Sequence, residues 1–413
     1  MKRLAFSVVG MILLFSVAQA QTITLATHYP PASVEILEPC FATYEEQNEG
    51  IDIQHQQITY GDYLQTILTS RLGGQSPDIY HVYSIWGAQL VENGILAQPP
   101  EGVVGFVQEN YIDNTVDAAS IQGQLWGIPT EVSNYLLIYN KKLLEEAGYS
   151  EPPATWAELQ EVAKAATKTN DGGQVTQAGF ATGETTAEVV HPFLTLLYSK
   201  GVDLFTEDFS ATNLTTPEAI ETLQEQVSLY EENAATPSLV VDDFNSGLVA
   251  MDIAPVWLES QLEAAFGDQF EETVGVAPIP QGENWQSLQY AFFYGVDNNS
   301  DVQDEAWAFL EWLNTSQAEG EPSCMGEMLV SLGALTANET DLQNAPDELG
   351  DFFTAPFADA LERSITEPNV VQASEIERIL QTYIERAWRG ELAPEEALSQ
   401  ADGEISNILA EYY

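Results

Sequence analysis

Basic residues are scarce. Twelve Lys and Arg stand against 64 Asp and Glu in 413 residues, a formal net charge of −52. A surface of that sign repels phosphate backbones and anionic lipid, which disfavours nucleic-acid and membrane-surface binding as the working function. Cysteine is nearly absent. With only Cys40 and Cys324 there is no disulfide framework. Cys40 shares a helical stripe with Ile36, Leu37, Phe41 and Tyr44, which reads as a buried face. An oxidising compartment would allow the pair to bridge, but two buried free thiols are the expectation. The four histidines, His28, His55, His81 and His191, show no metal-ligand spacing, so no metal and no cofactor are expected. A phosphate-cradling Gly loop, a Gly-x-Ser-x-Gly elbow and a calcium-loop pattern are all missing. Carboxylate pairs arise by chance among so many acids and carry no catalytic signal. On this absence of motifs a secreted glycoside-processing enzyme is only a distant reading.

What is present points to a folded, exported chain. Apolar residues make up 45%, with 8 Trp, 17 Tyr and 17 Phe, enough for a large core. The acids are scattered rather than gathered in a tail. At molar salt the screening length falls to about 3 Å, so the composition predicts adaptation to a very salty medium. Lys2 and Arg3 precede an apolar run from Leu4 to Val17 and the small-x-small triplet Ala18, Gln19, Ala20. That is a signal peptide over residues 1–20, cleaved after Ala20. The run is too short to anchor the chain, no later stretch is longer, and the product is expected to be soluble in the periplasm or outside the cell.

Thr22–Ala26, Ile51–Ile58 and Asp78–Tyr83 read as strands, separated by helices over Ser33–Asn48, with Ser33 as N-cap, and Asp62–Leu72. That alternation predicts a parallel α/β sheet with right-handed crossovers. Tyr135–Tyr139, Leu248–Ile253, Val274–Ala277 and Ala291–Val296 are further strands. Helices follow over Lys141–Ala147, Thr155–Thr167 (a capping box from Thr155 and Glu158), Pro217–Glu232 and Asp304–Leu313. The last third is helical over Ala358–Arg363, Ser374–Arg389 and Pro394–Tyr413.

Four patches carry a resemblance. Gly61-Asp62-Tyr63 leads into a helix followed by Gly73, Gly74 and Pro77-Asp78-Ile79. Gly123, Leu125-Trp126-Gly127-Ile128-Pro129 leads to Tyr139-Asn140-Lys141, Leu143 and Ala147-Gly148. Pro153, Thr155-Trp156 and Leu159 come next, and Gly390, Pro394-Glu395 and Ala397-Leu398 close the chain. In this order and spacing the sequence resembles the extracellular solute-binding proteins of ABC importers, the group containing maltose-binding protein. The resemblance implies a two-lobed α/β periplasmic-binding-protein fold of type II, each lobe a mostly parallel sheet flanked by helices. It further implies lobes of about 21–131 plus 282–335 and 132–281 plus 336–413, a solute cleft between them, and delivery to a membrane permease by a monomer.

Ligands of open α/β sheets meet the carboxyl ends of strands. His28 and Tyr29 follow the first strand there, offering a polar tip and a ring face or packing on the lobe. Tyr83 and Trp86 follow the third strand, where the family places cleft residues; Trp86 alternatively covers the core. Glu131 and Asn134 lie on the first interlobe crossing, with side chains that bond hydroxyls. Trp257, after Met251–Val256, resembles the family's sugar-stacking Trp. His191 falls where maltodextrin binders place a cleft Tyr, and Tyr290 lies in a loop that the family often directs at the ligand. One departure matters: Glu377 stands where maltodextrin binders carry another stacking Trp. The resemblance so read implies a neutral mono- or disaccharide or polyol, with a polyamine or other cationic solute as the alternative.

Overall fold

The computed structural model describes residues 20–74, 76–345 and 349–413. The leader therefore lies outside the described residues except Ala20, as does Gln75 of the turn before the third strand. The opening alternation forms as expected. Strands Gln21–Thr27 and Ile51–Gln57 pair in parallel over seven residues, and Leu25-Ala26 pairs in parallel with Ile79-Tyr80. β-branched and aliphatic residues drive this, with Ile23, Leu25, Ile79 and Val82 fully buried. The first helix spans Pro31–Gln47 and starts before Ser33, which sits inside it. The fixed φ of Pro31 suits the first helical position, so no side-chain cap is needed. The capping box of Thr155 and Glu158 forms at the helix Trp156–Ala166. A second one, Thr185 with Glu188, opens the helix Thr186–Ser199.

The main sheet is mixed rather than mostly parallel. Its spine is the 13-residue strand Ile128–Asn140, which is antiparallel to every strand it meets. Up to Asn134 it pairs with Ser287–Val296 and Leu335-Thr336. From Tyr135 onward it pairs with Met251–Pro255 and Val274–Ala277. One strand thus serves two lobes, and the partner change falls between Asn134 and Tyr135. Parallel pairing is found in the βαβαβ start, where helical crossovers return the chain in the same direction, and again where Ser287–Gln289 pairs with Ser364–Thr366.

The expectation of free thiols is overturned. Cys40 and Cys324 form a disulfide with a Cα–Cα distance of 6.4 Å. The helical stripe did report an inward face, but that face meets the helix Cys324–Leu332, whose first residue is the partner. Nothing local to either cysteine reveals a neighbour 284 residues away. No helix among the described residues is long and apolar enough to cross a membrane.

Candidate functional site

Two connected chambers open between the lobes, with volumes of about 630 and 380 Å³. Tyr60, Tyr83, Ala187, His191, Trp257 and Gln261 line both and join them. The smaller, upper chamber adds His28, Tyr29, Glu131 and Tyr290, and the larger, lower one adds Trp86. Eight of the nine residues singled out from sequence are thereby brought to one cleft. Asn134 is not. It is fully buried and donates to the Phe357 carbonyl at 2.9 Å and the Ser364 hydroxyl at 3.2 Å. Strand alternation explains the difference: Glu131, Ser133 and Tyr135 face the cleft, so Asn134 faces away.

Trp257 is placed by the end of the strand Met251–Pro255. Val256 and Leu258 insert into the lobe, and the indole between them stays 37% exposed. Its Nε1 donates to the Tyr290 hydroxyl at 2.6 Å, which fixes the plane of the ring.

A hydrogen-bonded chain backs the upper chamber. Tyr29 donates to Glu131 Oε2 at 2.5 Å, and His81 Nε2 lies 3.2 Å from the same oxygen. On the opposite edge of its ring, His81 Nδ1 meets His28 Nδ1 at 3.0 Å. Burial pushes the Glu131 carboxyl up, but His81, His28 and the Tyr29 hydroxyl outweigh it and hold it at about 2. Burial, with His81 beside it, lowers His28 to about 3. One ligand atom each of His28, His81 and Glu131 lies within 4.8 Å of the others.

The lower chamber is backed by His191, Glu367 and Glu377. His191 Nδ1 is 2.7 Å from the Tyr135 hydroxyl, and Tyr83 donates to Glu367 Oε2 at 2.6 Å. Burial disfavours the imidazolium, yet the two carboxyl groups overcome this and raise His191 to about 10. Burial and the neighbouring Glu367 push Glu377 well above the usual carboxyl range. Among the described residues, no Lys or Arg lines either chamber.

The family model for bacterial extracellular solute-binding proteins matches residues 31–320. The chain belongs to that family. A binding protein of Brucella abortus is 27% identical over 280 residues, covering 65% of this chain and 66% of that protein, so the chain spans just under two thirds of this relative's length. The maltotriose-binding protein of Pyrococcus abyssi is 23% identical over 335 residues, covering 76% of this chain and 67% of that one. In fold, the chain is similar to the sugar-binding protein MalE of Xanthomonas citri, with a TM-score of 0.80 at 21% identity. That match covers 95% of this chain and 98% of the other.

Sequence reasoning missed several cleft residues of this solute-binding protein. Tyr60 lines both chambers, is 47% exposed, and stacks on Trp86 with centroids 5.6 Å apart. It directly precedes the Gly61-Asp62-Tyr63 patch, which was the available signal. Asp252 lines the lower chamber, and burial together with Glu188 pushes its carboxyl up to about 7. An acid inside the buried strand Met251–Pro255 was legible as an anomaly. Glu377, noted in the sequence only as a departure from an aromatic position, lines the lower chamber itself. It occupies the inward stripe of the helix Ala373–Trp388, between Ile376 and Leu380.

Proposed function

We propose that the chain is the exported receptor of an ABC importer. It captures a small neutral carbohydrate, a mono- or disaccharide or a polyol, between its lobes by hinge closure and hands it to a membrane permease. The observation that carries this is the pairing of open aromatic faces with uncharged or acceptor groups. Trp257 and Tyr60 present ring surface, Gln261 and Glu131 line the cleft as hydrogen-bonding groups, and among the described residues no Lys or Arg lines it. Sugar rings have an apolar face that such a platform covers while polar neighbours take the hydroxyls. The Pyrococcus relative's carbohydrate ligand supports the class. The carboxyl of Glu377, in place of a further aromatic subsite, supports a short ligand.

Isothermal titration calorimetry in molar salt against neutral mono- and disaccharides, polyols and polyamines tests the reading. One-to-one binding of a neutral sugar or polyol is expected. Glu188, Asp242, Asp252 and Glu377 all line the lower chamber, so a polyamine is the second reading, and binding of a polyamine alone would establish it.

The medium is part of the proposal. Repulsion among 64 acids is screened only at high salt. The thermal midpoint is expected to rise on the order of 10 °C from low to molar salt. Equal cooperative melts by circular dichroism in both conditions would remove the halophilic reading.

A further inference from the structure

Three ionisable side chains from separate elements meet behind the lower chamber. His191 comes from the helix Thr186–Ser199, Glu377 from the helix Ala373–Trp388, and Glu367 from the segment after the strand Ser364–Thr366. All three are more than nine-tenths buried. His191 Nε2 lies 3.2 Å from Glu377 Oε1 and 3.3 Å from Glu367 Oε1, and the three ligand atoms fall within 4.8 Å of one another. A tetrahedral zinc ion, bound at roughly 2.0–2.1 Å by nitrogen and oxygen, holds neighbouring ligand atoms about 3.3 Å apart. The His191 distances match that spacing.

The surroundings are those of a supported ligand set. His191 Nδ1 is engaged by the Tyr135 hydroxyl, which leaves Nε2 as the inward nitrogen. Tyr83 donates to one oxygen of Glu367, while the other, Oε1, is buried without a hydrogen bond and belongs to the cluster. Outer partners of this kind orient metal ligands and are part of a working site. One nitrogen and two oxygens suit zinc or manganese, whereas calcium takes six or more oxygens.

We propose that His191, Glu367 and Glu377 form a site for a divalent transition ion of the zinc class. His191 and Glu377 line the lower chamber, so the remaining coordination position opens on it and takes water or an oxygen of the solute. The solute's part in this rests on the receptor reading above; the ion's binding does not.

The test is titration of the chelator-treated mature protein with zinc chloride alone in molar salt, followed by Co²⁺ substitution and visible spectroscopy. One tight site per chain and the spectrum of four-coordinate cobalt are expected. Glu377→Gln and Glu367→Gln should each weaken zinc at least ~100-fold, while Glu161→Gln on an exposed helix face should leave it unchanged. Should Glu367→Gln fail to fold, Glu377→Gln at the cavity edge decides. Only weak, multiple sites, or equal affinity in Glu377→Gln, would overturn the proposal. Repeating the solute panel with and without zinc separates the two readings. A sugar that binds while no zinc site exists removes the ion and leaves the receptor, and a zinc site with no solute from the panel does the reverse.

Discussion

Trp257→Ala should abolish most of the affinity for a neutral sugar, by roughly 30- to 1,000-fold, or about 2–4 kcal/mol. Val256 is fully buried and Leu258 nearly so, and these two anchor the turn, while the indole is 37% exposed to the cleft. Its removal therefore strips ligand contact without opening the core, and the thermal midpoint of the unliganded protein should move little. Trp257→Phe should recover most of the loss, because it keeps a ring face and gives up only the 2.6 Å bond to Tyr290. Titration calorimetry of the three proteins checks this. Wild-type affinity in the alanine variant would shift the platform to Tyr60 and its stacked partner Trp86.

Cys40→Ser or Cys324→Ser should lower stability by about 5 kcal/mol on the chain-entropy account, with a drop in the melting temperature of roughly 5–10 °C. The large value comes from the loop that the bridge closes. It ties residues 284 apart, and the freedom removed from the unfolded chain grows with loop length. The bridge also holds the first helix, Pro31–Gln47, to Cys324–Leu332. Thiol labelling of the native protein should find no free cysteine, and two after reduction under denaturing conditions. Unchanged melting in either serine variant would mean that the bridge does not constrain the fold.

The contrast between Thr155 and Glu377 separates what the sequence settles from what it leaves open. Thr155 and Glu158 lie three residues apart, their bonds close within one turn, and the helix start forms where the residues place it. The strand Val274–Ala277 likewise has the limits that its own residues give it. Such signals are local, and the βαβαβ opening that follows from them was legible for the same reason. The resemblance supplied the cleft aromatics because it encodes a known tertiary arrangement.

Sequence by itself determined the α/β class and the limits of elements such as Trp156–Ala166 and Val274–Ala277, since these depend on neighbours along the chain. Only the tertiary structure decided which way Asn134 points, because strand alternation needs the neighbouring faces to be known. It alone joined Cys40 to Cys324 and brought His191 to Glu377 across 186 residues. Those contacts are set by how separate helices pack, and no periodicity within either helix carries that information.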